Sequence, residues 1–276
     1  MTILLDNLCF GEGPRWREGA LWFSDMHDRR VIKLLPSGEH EVVVTLSDDQ
    51  PSGLGWLPDG DLLVVSMIKR HVLRFDGANL HLHCDLSHLA SFHCNDMVVD
   101  ADGGAYVGNF GFDLHHDGQG KKAELIRVAP DGCARVVDDD LYFPNGTVIT
   151  ADGRTLIVAE TFAGTLTAFD ILKDGALENK REWARLPHGA VPDGICLDEG
   201  GGIWSASPTS NECLRQTEGG EVTHRIELNR GAFASMIGGG DLYVCTASSS
   251  DPEFCRANRD GRVEVYPAPY AAAGLP

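Results

Sequence analysis

Trp22-Phe23-Ser24-Asp25 is a short apolar run that passes through a small residue, and the pattern returns at Val64-Val65-Ser66-Met67, Tyr106-Val107-Gly108-Asn109, Ile157-Val158-Ala159-Glu160, Trp204-Ser205-Ala206-Ser207 and Tyr243-Val244-Cys245-Thr246. Six copies at intervals of roughly 40 to 50 residues are the signature of a propeller or a solenoid. Asp59-Gly60, Asp102-Gly103, Asp131-Gly132, Asp152-Gly153, Asp174-Gly175 and Asp260-Gly261 fall between strand-like runs and read as hairpin turns. No stretch sustains the i, i+3, i+4, i+7 apolar spacing of a helix over a dozen residues, which disfavours an α/β fold. Six repeats of about four short strands predict an all-β, six-bladed β-propeller that occupies residues 1–276 as one domain. Ile3 to Leu5 and Arg262 to Tyr266 are expected to pair in one blade and close the ring.

Composition narrows the partners. Forty-one acidic residues against 23 Lys and Arg give a net charge of −18, which repels phosphate backbones and anionic membrane surfaces. No segment approaches the ~18 uninterrupted apolar residues of a membrane span, and Met1 to Trp16 lacks a basic start and a long apolar run. The expectation is a soluble, cytoplasmic chain, a monomer or small homo-oligomer, with neither nucleic acid nor membrane as partner. Eight cysteines without a Cys-x-x-Cys pair suit reduced thiols better than a disulfide framework or a zinc site.

The residues that start the repeats carry the chemistry. They are Glu12, Ser52, Asn95, Asn145, Asp193 and Ser235, each read as lying just before a first strand. Equivalent positions in successive blades share one height around the axis, so their side chains form a ring of oxygens at one mouth of the channel. Two carboxylates and two amides, with no His or Cys, suit a hard divalent cation such as Ca²⁺ or Mg²⁺; Mn²⁺ is compatible and Zn²⁺ less natural. Taken singly, Asn, Asp and Ser before Gly are ordinary turn residues.

Glu12-Gly13-Pro14 followed by Trp16, then Asn95-Asp96, Pro144-Asn145-Gly146 and Pro192-Asp193-Gly194-Ile195, resemble in order and spacing the SMP-30/gluconolactonase/luciferin-regenerating-enzyme family over essentially the whole chain. The resemblance implies a six-bladed propeller with one divalent metal near the channel mouth and hydrolysis of sugar or other small lactones. It places the metal ligands at Glu12, Asn145 and Asp193. Asn95 falls where the family has either a metal contact or a substrate-orienting residue, and Asp193 falls at the candidate general base. Two departures from the sugar-lactone members, His93 in place of an Arg and Asp113 near the position of a Glu, alter the hydroxyl-binding pattern.

A divalent ion would polarise the lactone carbonyl and activate water, with Asp193, or alternatively Glu12, moving the proton. Substrate contacts are expected from Asn109 to Lys122, the longest insertion, read as a lid: Phe110, Phe112 and Asp113 line the pocket, and His115 and His116 belong to lid or surface. His93 precedes Asn95 by two and so shares its face in an extended segment, where both are expected to contact substrate, whereas Cys94 points into the blade. Trp16, Trp22, Trp56 and Trp204 are expected between blades. The motifs of serine hydrolases, zincins, NTPases and dinucleotide enzymes are missing. The leading expectation is a metal-dependent hydrolase of small-molecule lactones. Phosphotriester or aryl-ester hydrolysis on the same site, and a non-catalytic metal-binding propeller, are the alternatives.

Overall fold

The computed structural model describes residues 1–114 and 120–276. Its strands form six four-stranded antiparallel sheets, which are the six blades of a β-propeller. Blade 1 runs through Gly11–Arg17, Ala20–Asp25, Arg30–Leu34 and His40–Thr45. Blades 2, 3, 4 and 5 repeat this order from Pro51–Trp56, Cys94–Val99, Pro144–Ile149 and Ile195–Leu197 as their first strands. Blade 6 starts at Gly231–Gly238 and borrows its outermost strand, Thr2–Leu8, from the other end of the chain. Thr2 pairs with Val265, Ile3 with Glu264 and Leu5 with Val263, the pairing expected for ring closure. Every one of the six recurring runs is the second strand of its blade.

Burial explains the order of strands. First strands such as Cys94–Val99, Pro144–Ile149 and Gly231–Gly238 are buried along their whole length, because they have neighbouring blades on both faces. Outer strands such as Val222–Glu227 alternate with solvent, as a half-covered strand must. The core therefore lies between blades: Leu54, Val64 and Val31 join blades 1 and 2, Met97, Val107 and Val72 join 2 and 3, and Trp204, Tyr243 and Phe23 join 5, 6 and 1. The tryptophans follow the expectation. Trp16 stacks on Tyr243 and Trp22 meets Trp56 edge-on.

Five of the six Asp-Gly pairs form hairpin turns with glycine at positive φ, a conformation that costs glycine little. The sixth is a correction: Asp260-Gly261 follows a helix, Pro252–Asn258, inserted between two strands of blade 6, and Gly261 is already in the closing strand. No helix among the described residues is long and apolar enough to cross a membrane. All eight cysteines are free, and seven are buried.

Candidate active site

Five of the six first strands carry a register shift at the mouth of the channel, four of them between Glu12 and Arg15, Pro51 and Leu54, Cys94 and Met97, and Pro144 and Thr147. Such bulges re-aim side chains, and these four fall at Glu12, Ser52, Asn95 and Asn145. These residues stand inside the first strands rather than before them, which corrects the sequence reading. Only Asp193 precedes its strand, Ile195–Leu197. The glycine that follows most of them answers to close packing, not to a turn. A Cβ on Gly53 would lie 2.4 Å from the Met97 backbone nitrogen, and one on Gly146 2.4 Å from that of Ile195.

The sixth position belongs to Phe233, not to Ser235. Gly146 N–H donates to the Asp193 carbonyl at 3.2 Å, and in the next blade interface Gly194 N–H donates to the Phe233 carbonyl at 2.8 Å, so Phe233 is the counterpart of Asp193. Blade 6 shifts register between Ala232 and Ala234, around this residue. Ser235 lies behind the mouth, its hydroxyl 3.5 Å from the Gly194 and Trp204 carbonyls.

Glu12, Asn95, Asn145 and Asp193 converge on one cavity of about 680 Å³. Asn95 and Asn145 are 5% exposed and Asp193 7%. The Asn145 amide donates to Thr161 Oγ1 at 3.1 Å, and that hydroxyl donates to the Pro192 carbonyl at 2.8 Å. Ser52 Oγ is 3.4 Å from Asn95 Oδ1, and Gly13 N–H reaches Glu12 Oε2 at 3.1 Å. Asp193 Oδ1 is buried and has no hydrogen-bond partner. An orphaned carboxylate oxygen is costly in a folded interior unless something outside the chain satisfies it.

Burial pushes the Asp193 carboxyl well above its usual range, with the Asp96 charge adding to the effect and hydrogen bonds from Asn145 and Gly194 opposing it. Glu12 is raised in the same direction by burial, Asp193 and Asp96. Arg15 is the cation paired with this group. Its Nη2 lies 2.5 Å from Asp96 Oδ1 and from the Met97 carbonyl, and its Nε donates to the Leu54 carbonyl at 2.9 Å. With all three carboxylates ionised, the Arg15 guanidinium balances only one of them, and a bound divalent cation would balance the other two. Among the described residues no group of three or more His, Cys, Asp or Glu forms a metal cluster, and the mouth instead offers two carboxylates with two amide oxygens. That donor set and the orphaned Oδ1 fit a hard divalent ion.

The layer above the oxygens is mostly apolar. Phe10, Gln50, His93 and Phe143 stand two residues before Glu12, Ser52, Asn95 and Asn145. Their carbonyls accept from Met26, Met67, Phe110 and Thr161 at 2.8, 2.9, 2.9 and 3.3 Å. All eight line the cavity. Sequence reading found only His93 and Phe110 among them, although the same two-residue spacing pointed to Phe10 and Phe143. Phe143 holds φ at 60°, a left-handed conformation that is strained for a bulky residue.

Of the remaining expected contacts, Asp113 lines the cavity and His93 stacks on Phe92 at 4.1 Å, with burial lowering its pKa. Phe112 is a correction. It is 4% exposed and supports the wall from behind, edge-on to Phe143 and Phe162. At the ends of the expected lid, Asn109 is spent inside blade 3 on the Glu124 carbonyl and carboxylate, and Lys122 pairs with Asp140. His115 and His116 lie outside the described residues. Cys94 is core, its thiol pushed up to about 12 by burial, so it is no nucleophile.

Comparison with known proteins gives this geometry a context. The SMP-30/Gluconolactonase/LRE-like family model matches residues 10–248. A pentonolactonase of Haloferax volcanii is 26% identical over 100% of this chain and 96% of its own length. Among solved structures, a gluconolactonase of Xanthomonas campestris superimposes with a TM-score of 0.74 at 24% identity, covering 96% of this chain and 89% of the other. A calcium-binding protein, regucalcin, of Agrobacterium tumefaciens superimposes with a TM-score of 0.80 at 22% identity, covering 99% and 94%.

Proposed function

The chain belongs to the SMP-30/Gluconolactonase/LRE-like family, and from that premise we propose that it is a hydrolase that opens small-molecule lactones at the channel mouth with one divalent cation. The pentonolactonase and gluconolactonase among its relatives support the reaction class. The observation that carries the reading is the unpartnered Oδ1 of buried Asp193, set among Glu12, Asn95 and Asn145.

Glu12, Asn145 and Asp193 hold the cation, and Asn95 either joins them or orients the substrate. When bound, the cation supplies Lewis acidity toward the lactone carbonyl and keeps the carboxylates ionised. Asp193 accepts the proton of the attacking water; as the acyl C–O bond breaks, that proton passes to the ring oxygen, so that lactone plus water give one hydroxy acid. Glu12 is the second carboxylate in reach of this role. Asn145 is fixed through Thr161 and Pro192, and the layer of Phe10, Phe110 and Phe143 limits the water that enters. Calcium is the first choice of ion, from the oxygen-only donors and the calcium-binding relative.

The test is turnover of a lactone panel with one phosphotriester, using chelated protein restored with Ca²⁺, Mg²⁺, Mn²⁺ or Zn²⁺. Lactone opening that returns with metal and is lost in Asp193→Asn supports the proposal. Turnover that survives chelation, or that is confined to the phosphotriester, overturns it.

A further inference from the structure

The cavity has two aromatic walls. Phe10 meets Phe233 edge-on at 4.7 Å, and Phe110 stacks on Phe143 at 4.5 Å, with Phe162 edge-on to Phe143 at 5.1 Å. The first pair belongs to blades 1 and 6, and the second group to blades 3 and 4. In a ring of six, the boundary between blades 6 and 1 lies opposite the boundary between 3 and 4, so the walls face each other across the mouth. Met67 of blade 2 closes a side of the same slot. Phe162 is 53% exposed at the rim, within reach of a ligand in the slot.

Several polar groups in this layer are engaged within the fold, while His93 and Arg256 stand at its edge as groups a ligand can reach. Thr161 Oγ1 is used by Asn145 and Pro192, Thr209 Oγ1 donates to the Gly189 carbonyl at 2.7 Å, and His27 Nε2 lies 3.2 Å from the Ser250 carbonyl. A lactone with a hydroxyl on nearly every carbon would set some of those hydroxyls against the phenylalanine faces, where they lose water without finding partners. Each such loss costs on the order of tenfold in affinity. A flat aromatic or alkyl substituent loses no such bonds and gains face and edge contacts with the phenylalanines.

We infer that the preferred substrate is a lactone bearing an aryl or alkyl substituent, held between the Phe10/Phe233 and Phe110/Phe143/Phe162 walls, rather than a polyhydroxylated one. This inference rests on the lactone-hydrolase reading and names the substrate class of the same site. It also assigns Phe233, at the one ring position without an oxygen, a role in specificity.

The experiment compares kcat/KM of the metal-loaded protein on γ-phenyl-γ-butyrolactone, γ-nonalactone, γ-butyrolactone and ribono-1,4-lactone, all five-membered rings of matched strain. Calorimetric binding of γ-phenyl-γ-butyrolactam, which resists hydrolysis, runs beside it. The substituted lactones are expected to exceed ribono-1,4-lactone at least tenfold. Phe110→Ser combined with Phe162→Ser is expected to lower the ratio of phenyl- to hydroxylated-lactone turnover at least tenfold, which a general loss of fold would not do. If ribono-1,4-lactone is opened best, or the double variant leaves the ratio unmoved, the specificity inference falls while lactone hydrolysis stands. If the lactam binds and no lactone opens, the slot assignment stands and the hydrolase reading falls.

Discussion

Asp193 and Asp198 stand five residues apart at opposite ends of one short strand, both buried, and their surroundings could hardly differ more. Asp198 Oδ1 accepts from the Gly200 and Gly202 backbones at 3.0 and 3.1 Å, and Arg215 holds both carboxylate oxygens at 2.8 and 2.6 Å. Arg215 in turn lies 4.4 Å from the Tyr270 ring centre. Asp193 has an empty-handed Oδ1 and carboxylate neighbours. The comparison separates a carboxylate that the fold satisfies from one that the fold leaves waiting. Blade 3 repeats the satisfied kind at this end of the ring with Asp100 and Arg127.

The largest expected effect follows directly. Asp193→Asn should lower kcat/KM for lactone opening by about 10³-fold while its stability to urea in chelator matches or exceeds that of wild type, because an amide removes a buried carboxylate that the fold leaves without a partner. Steady-state kinetics beside urea titration checks this, and a variant that retains activity breaks the contrast. Asp198→Asn should behave in the opposite way. It strands the Arg215 guanidinium in the interior, at a cost of about 3 kcal/mol, and leaves metal binding and KM intact in whatever fraction is folded.

A third expectation sharpens the comparison through ligation. At cation concentrations about 100-fold above the dissociation constant, the wild-type protein should gain about 2.7 kcal/mol over its chelated form by mass action. Differential scanning calorimetry of Asp193→Asn should show no such gain. The smallest effect concerns His27, buried beside the mouth and lowered in pKa chiefly by that burial. The folded protein keeps His27 neutral, so as pH falls below about 6.5 the unfolded chain takes up the proton first. The stability that His27 contributes is complete above that pH and is lost as pH drops toward the folded value. His27→Gln should flatten this slope in urea denaturation measured between pH 5 and 7.5.

The blades were legible because each second strand carries the same run, and six periodic copies outweigh any single strand signal. Five of the six ring positions were legible for the same reason, each a polar residue at the start of its repeat. The sixth was not. In blade 6 the counterpart is Phe233 followed by Ala234, and with the polar mark gone the next serine along took its place. The two aromatic walls were half-visible: the spacing that links His93 to Asn95 also links Phe10 to Glu12 and Phe143 to Asn145, but phenylalanine before a strand reads as ordinary core. The charge balance was out of reach, since Arg15 meets Asp96 across 81 residues of chain and only closure of the ring brings them together.

Equilibrium dialysis of Ca²⁺ against wild type, Asp193→Asn and Asp198→Asn tests the central claim most directly. One ion per chain in wild type and in folded Asp198→Asn, with none in Asp193→Asn at the same free concentration, is the predicted result. Equal binding by Asp193→Asn would contradict the account, because the cation would then lie somewhere other than on the carboxylate the fold leaves unsatisfied.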